Sequence, residues 1–217
     1  MKKILNITLI GPQGCGKGTQ AELLAGKLNM ARIEIGGALR DIAKTKTDLG
    51  KKINELINVR GKMVPYNLVM QVVGEKIKNV SPEQGIVFDG TPRRLAEIKP
   101  LEKILAKYNR ELTHVFYLPI SERETINRLS RRRMCDKCGK IFILGINLKE
   151  KTEKCLICGG KIFQRKDDQP AAIKERLKLY QKKTQPVVDY FHQEKRLIKI
   201  DAEQSIEKVF KDILKYL

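Results

Sequence analysis

Short apolar runs recur along the chain at residues 4–10, 86–88, 114–118 and 197–200, with a weaker run at 31–35. They are rich in Ile, Val, Leu and Phe and too short for helices, as expected of strands buried on both faces. Between them, apolar residues fall at helical spacing over 20–28, 95–108, 122–133, 171–191 and 205–217. Strand alternating with helix predicts an α/β fold with a doubly wound, parallel five-stranded sheet and right-handed crossovers. Ligands of such sheets bind at the carboxyl ends of the strands.

Two segments break the rhythm. Residues 36–79 read as consecutive helices punctuated by Gly50, Gly61 and Pro65, with no strand among them. Residues 134–164 hold four cysteines, the pair Gly159-Gly160 and short β-like pieces. The expected organisation is a core of residues 1–35, 80–133 and 165–217, a helical insert at 36–79 that clamps a second substrate, and a small lid at 134–164.

The first strand runs into Gly11-Pro12-Gln13-Gly14-Cys15-Gly16-Lys17-Gly18-Thr19. Strand, glycine-rich turn, lysine, helix is the layout of a phosphate-binding loop. Glycines let backbone N–H groups converge on anionic oxygens, the helix N-terminus adds partial positive charge, and Lys17 adds a full one. Gly14, Cys15, Gly16, Lys17, Gly18 and Thr19 are therefore expected to cradle a nucleotide polyphosphate. The usual loop puts Ser or Thr directly after the lysine, where its hydroxyl ligates Mg²⁺. Here Gly18 intervenes, so the metal would rest on phosphate oxygens and water. Cys15 reads as a small residue that fits the loop; a thiol made reactive by the helix N-terminus is the alternative.

Cys135-x-x-Cys138 and Cys155-x-x-Cys158 form two knuckles whose spacing indicates a four-thiolate zinc site. Four thiolates leave no coordination position for substrate, so the metal would be structural. A zinc-ribbon nucleic-acid module and a pair of disulfides are the competing readings. The flanking basic clusters, residues 128–133 and Arg165-Lys166, favour a metal-stapled lid that carries arginines to phosphate.

The formal charge is +19, from 44 basic and 25 acidic residues. Lysines are scattered rather than blocked, and aromatic residues are few, with six Phe, six Tyr and no Trp. That distribution favours polyanionic substrates and leaves nucleic acid a weak, non-specific partner. No apolar stretch reaches the roughly 18 residues of a membrane span, and no secretory signal is evident, so a cytoplasmic location and no membrane partner are expected.

Further along the chain stand Leu39-Arg40, Gly61-Lys62-Met63-Val64-Pro65, Asp89-Gly90-Thr91-Pro92-Arg93, Arg128 with Arg132, Arg165-Lys166-Asp167-Asp168, and Arg176. Together with the glycine loop, this ordered set resembles the adenylate kinase family, in its long form with a zinc-type lid, over essentially the whole chain. Transfer between nucleotides needs no general base, because the acceptor's phosphate oxygen is already anionic. The enzyme must instead align two polyanions and neutralise developing charge. The resemblance implies reversible, Mg²⁺-dependent phosphoryl transfer from ATP to AMP by a monomer. It also implies that Lys17, Arg132 and Arg165 surround the donor and transferring phosphates, and that Arg128 stacks on the donor base. Arg40, Arg93 and Arg176 would hold the acceptor phosphate, with Ile35, Met63, Val64, Gly90, Glu97 and Arg165 completing the AMP site. Asp89 would order the water shell of Mg²⁺, while Asp167 and Asp168 anchor lid arginines. Arg94, Arg131, Arg133, His114 and His192 receive no role.

The acceptor side departs from the family pattern. Thr-Gly-Asp is replaced by Ile35-Gly36-Gly37, which removes a hydroxyl contact and a carboxylate near the metal. Thr91 replaces a phenylalanine, and Glu97 replaces the glutamine that reads adenine. A carboxylate only accepts hydrogen bonds, which suits guanine's two adjacent donors better than adenine. Two expectations stand: AMP held by backbone near Val64 with Glu97 turned to solvent, or a shifted acceptor such as GMP. A P-loop hydrolase would not need the second arginine set. A non-catalytic zinc-containing nucleotide or RNA binder would not need Lys17, Asp89 and the motif arginines together.

Overall fold

The structure, a computed structural model, describes residues 4–59 and 63–217; Gly61 and Lys62 of the acceptor motif and the side chains of Asn58, Val59 and Lys166 lie outside the described residues. All five apolar runs are strands: β1 (Asn6–Ile10), β2 (Ala31–Glu34), β3 (Ile86–Asp89), β4 (His114–Tyr117) and, at the far edge, Leu197–Lys199. They form one parallel sheet in which β2 and β3 precede β1, and β4 and the Leu197–Lys199 strand follow it.

The strands are nearly continuous in hydrophobicity because both faces are covered. Within β3, Ile86 and Phe88 join one core and Val87 the other; within β1, Ile7 and Leu9 face one way and Ile10 the other. One face packs on α1 (Lys17–Leu28) and the C-terminal helix Ile206–Leu214, through Ala21, Leu24, Val209 and Ile213. The opposite face packs on the helical insert and on α5 (Leu95–Lys107). The insert comprises α2 (Ile35–Ala43), α3 (Asp48–Asn54), a π-helical turn at Glu55–Val59 and α4 (Tyr66–Lys78), with no strand among its described residues. Thr47 caps α3 by accepting from the Gly50 N–H, and the buried Ile53 of α3 and Val73 of α4 tie the insert into that core.

Two helix ends differ from the periodicity. The pattern over 122–133 predicts one helix, but α6 (Glu122–Arg131) stops at Arg131, and Arg132 and Arg133 begin β5 (Arg132–Cys135). There the Leu144 N–H donates to Arg131 O and Arg132 pairs with Ile143, so cross-strand bonding ends the helix. β6 (Ile141–Ile143) and β7 (Ile162–Phe163) flank β5 in a small antiparallel sheet, the body of the segment expected to form a lid. The pattern over 171–191 predicts one long helix but yields α7 (Pro170–Lys183) and α8 (Gln185–Gln193). Pro186 has no N–H to continue α7, and Thr184 at the break turns its hydroxyl onto Arg93 O at 3.1 Å. The chain completes with β8, the Leu197–Lys199 strand, and α9, the helix Ile206–Leu214.

Arg110, which belongs to no sequence motif, is buried beneath the amino ends of the strands. It donates to Ser81 O (2.5 Å), Gln84 O (2.8 Å) and Asn6 Oδ1 (3.1 Å) and so holds the β3 approach against β1. Truncation strands one buried acceptor, Asn6 Oδ1, and removes the donor from two half-buried carbonyls. Arg110→Ala is expected to lower stability by about 2–3 kcal/mol, seen as a lower urea midpoint at unchanged slope.

Candidate active site

The glycine loop joins β1 to α1 at the carboxyl edge of the sheet. Gly14 (φ 82°) and Gly16 (φ 93°) are left-handed, a conformation open to glycine at little cost. A Cβ on Gly14 would lie 3.3 Å from Leu129 Cδ2, so α6 packs directly on the loop. Lys17 Nζ curls over it, donating to Gly11 O and Pro12 O (both 2.7 Å) and lying 3.4 Å from Cys15 Sγ. Cys15 is buried in the core beneath the loop, and Thr19 is exposed on α1. Arg128 reaches Gly14 O at 3.5 Å and is braced by Glu124 at 2.6 Å.

Gly18 lies at the N-terminus of α1, where a side chain would meet two partners. A Cβ there would lie 3.2 Å from Asp89 Oδ2 and 3.3 Å from Arg32 Nη2. Arg32 Nη2 bridges two carboxylates, 3.0 Å from Asp89 Oδ2 and 3.4 Å from Glu34 Oε2. The carboxylate oxygens of Asp89 and Glu34 are donors that fit a hard divalent cation, and Arg32 is the positive charge that stands beside them here.

On the other side of Asp89 a second set of cations converges. A Cβ on Gly36 would lie 3.3 Å from Arg40 Nη1 and 3.7 Å from Arg93 Nη2, so the two guanidinium groups share the space above that glycine. Glu34 Oε1 steadies Arg40 at 3.1 Å. Arg93 folds back to donate through Nε to Gly90 O at 2.8 Å, which Gly90 permits with a positive φ of 81° and no side chain.

The third set lies where the lid meets α7. Asp168, fully buried, takes both arms of Arg132 at 2.7 and 2.5 Å. Asp167 takes both arms of Arg165 at 2.8 and 2.6 Å, and Arg176 bridges the two aspartates at 3.1 and 3.3 Å. Burial first, and the neighbouring charges of Arg132 and Arg165 against the pull of Asp167, bring Arg176 down to about 10. Burial and the Arg165 charge likewise lower Arg40. Guanidinium groups this crowded and this poorly hydrated favour an incoming polyanion.

The residues expected around the acceptor base are arranged differently from either sequence expectation. Glu97 is buried, not turned to solvent: its Oε2 accepts from the Arg93 N–H at 2.7 Å and its Oε1 lies 3.4 Å from Arg94 Nε. A carboxylate so engaged caps the start of α5 and is not presented to guanine, which removes the basis of the shifted-acceptor expectation. Arg94, given no role from sequence, donates through Nη2 to Val64 O and ties the start of α5 to the end of the helical insert. Ile35 is buried in the core, and Met63 is half-buried beside Val64. Arg131 donates to Leu144 O, and Arg133 to Ser130 O, outside the Asp167–Asp168 arginine cluster.

In the lid, the four cysteine sulfurs lie within 4.8 Å of one another. The Cys135–Cys158 and Cys138–Cys155 pairs are 3.5 and 3.7 Å apart, far beyond a disulfide bond and close to the roughly 3.8 Å edge of a tetrahedron of thiolates. Backbone N–H groups of Cys138 and Ile157 point at Cys135 and Cys155 Sγ at 3.5 and 3.4 Å. The Cys138 N–H leads the causes that hold the Cys135 thiol down at about 7, whereas, against the pull of the Lys140 N–H, hydrogen bonding to Cys158, Cys135 and Cys155 together with burial pushes the Cys138 thiol up. The donor set fits a metal ion.

Arg32, Glu34 and Arg94 are the site residues that motif reasoning missed. The available signal was the period of two in β2: Arg32 and Glu34 share a face, and that face ends beside Asp89.

Comparison with known proteins agrees with this geometry. A family model described as "Adenylate kinase" matches residues 9–196. "Adenylate kinase" from Kosmotoga olearia is 37% identical over 214 residues, covering 98% of this chain and 99% of that protein. The protein of the same name from Thermosipho africanus is 35% identical, covering 97% and 98%, and that from Archaeoglobus fulgidus 34%, covering 96% of each.

Burial works to raise the Asp167 pKa, but hydrogen bonds from Arg165 and the charges of Arg176, Arg165 and Arg132 outweigh it and hold it below the ordinary 3.8. The folded protein therefore binds this proton less tightly than the unfolded chain. Its contribution to stability is full above about pH 4 and is lost as pH falls through the folded value. Urea unfolding between about pH 5 and pH 2 is expected to show this loss, and Asp167→Asn should flatten the acid limb.

Proposed function

The chain belongs to the adenylate kinase family, and from that membership we propose that it transfers the terminal phosphoryl group of ATP reversibly to AMP, giving two ADP. The observation that carries this reading is the pair of cationic sites on either side of Asp89. Lys17 and the left-handed glycines form one; Arg40 and Arg93 above Gly36 form the other. Two polyanions held across one carboxylate is what phosphoryl transfer requires, and a hydrolase that used water would leave the second site idle.

Each group then has a role. Backbone N–H groups of the loop and Lys17, released from Gly11 O and Pro12 O, take the donor phosphates. Arg40, Arg93 and Arg176 take the acceptor phosphate, while Arg132 and Arg165 neutralise charge on the group in flight. Arg128 lies over the loop for the donor base. Met63, Val64 and Gly90 line the acceptor; Ile35 and Glu97 support it from within the core and the α5 cap. Mg²⁺ brought in with ATP supplies charge neutralisation at the phosphate oxygens, with Asp89 ordering its water. Thr184, at the α7–α8 break, fixes the backbone of Arg93.

Zinc is the ion proposed for Cys135, Cys138, Cys155 and Cys158, since four thiolates select it and leave no open position for catalysis. Reduced thiols and nucleotide substrates suit the cytoplasm. No helix among the described residues is long and apolar enough to cross a membrane. A monomer suffices, because one chain provides both phosphate sites.

A coupled assay of ADP formation from ATP with AMP, GMP, CMP or UMP tests the activity. AMP is expected to lead in kcat/KM by at least about tenfold, with no ATP loss when acceptor is omitted. ATP loss without acceptor would mean a hydrolase, and a leading GMP would overturn the acceptor. Separately, chelation of the lid metal is expected to lower Tm by several degrees and zinc to restore it; an unchanged Tm removes the structural metal.

A further inference from the structure

No sequence motif includes Arg32 or Glu34, yet both reach the centre of the site. The β2–β3 register sets Glu34 directly opposite Asp89, on the face that carries Val87 toward α1. Like charges opposite each other on neighbouring strands repel. Arg32, two residues before Glu34 and therefore on the same face, resolves this with one nitrogen: Nη2 lies 3.0 Å from Asp89 Oδ2 and 3.4 Å from Glu34 Oε2. Two missing side chains make the room. A Cβ on Gly18 would lie 3.3 Å from Arg32 Nη2, and one on Gly37 would lie 3.1 Å from Glu34 Oε1. The guanidinium thus occupies the corner of α1 where phosphate-binding loops ordinarily carry the hydroxyl that ligates metal.

We propose that Arg32 is a positioning residue that competes with Mg²⁺ for Asp89, and that Glu34 is the partner that draws the guanidinium aside when nucleotide arrives with its metal. The inference rests on the phosphotransferase reading, with Asp89 facing the metal's water. A divalent ion and a guanidinium sharing one carboxylate oxygen repel each other, so entry of the ion loosens Arg32 from Asp89. Glu34 is the nearest alternative acceptor and already lies within reach. Its other oxygen holds Arg40 at 3.1 Å, so the exchange ends one hydrogen bond from the acceptor phosphate site. Arg32 and Glu34 together thereby set how much free Mg²⁺ the protein needs.

The experiment is a calorimetric titration of ATP into the full chain, without acceptor, at graded free Mg²⁺ and in EDTA. The Arg32 and Glu34 side chains are 29% and 41% exposed, so substitution leaves the core intact. Arg32→Gln is expected to lower the Mg²⁺ concentration giving half of the metal-dependent gain in ATP affinity by about three- to fivefold, the factor a partly exposed ion pair contributes. Glu34→Gln is expected to raise it by a similar factor, because the guanidinium then has only Asp89. Affinity in EDTA should be unchanged in both. A half-point that stays put or moves the other way in either variant overturns the proposal, as does an Arg32→Gln effect of equal size with and without Mg²⁺. Wild-type protein that binds ATP alike with and without Mg²⁺ also overturns it, whereas AMP-dependent turnover in the same preparation leaves the phosphotransferase reading standing.

Discussion

Guanidinium groups gathered at one edge of a sheet repel one another, and most of the site's local architecture answers that repulsion. Each cation is tethered. Asp89 and Glu34 hold Arg32, and Glu34 also holds Arg40. Asp168 holds Arg132, Asp167 holds Arg165, and Arg176 bridges both aspartates. Where no carboxylate is at hand, backbone carbonyls serve: Gly90 O for Arg93, Gly11 O and Pro12 O for Lys17. These pairs add little net stability: the partly exposed ones are weakened by water, and in the buried Arg132–Asp168 pair desolvation offsets attraction. They keep positive charge gathered in place at that edge, where the proposed reading has phosphate replace the tethers.

That arrangement depends on the parallel sheet. Five strands covered on both faces bring their carboxyl ends to one edge, so the loop after β1, the Glu34 end of β2 and the Asp89 end of β3 become neighbours. Glycines then set the spacing: Gly18, Gly36 and Gly37 leave the space into which Arg32, Arg40, Arg93 and Glu34 project. The two insertions reach the same edge. Glu34 and Arg94 meet the acceptor insert at Arg40 and Val64, and the lid strand that begins at Arg132 is fastened to Asp168. Lys140 of the lid also pairs with Glu22 of α1 at 2.7 Å, an exposed contact that contributes little to stability.

Much of this was legible in the chain. The five strands, the helical insert and the glycine loop follow from local periodicity and turn chemistry, and the cysteine cluster from spacing alone. The helix ends at Arg131 and Thr184 were not legible, because a neighbouring strand stops the first helix. At the second, the signal was Pro186, outweighed by an apolar pattern that continues through it. Glu97 was misjudged for a related reason. Its residue type suggested a base reader or a solvated carboxylate, whereas the turn at Arg93 offers a backbone N–H that captures it.

What the sequence determined by itself is whatever depends on residues close along the chain: strand and helix periods, the phosphate loop, the metal knuckles and the order of the motif arginines. Covalent adjacency holds such residues together in any fold, so their spacing carries the chemistry. Which cation faces which anion was decided only by tertiary structure. Arg32 meets Asp89 across 57 residues and Arg132 meets Asp168 across 36. Electrostatic energy falls with distance and grows with burial, and neither is encoded locally; both arise when the sheet aligns its carboxyl ends and the insertions fold over them.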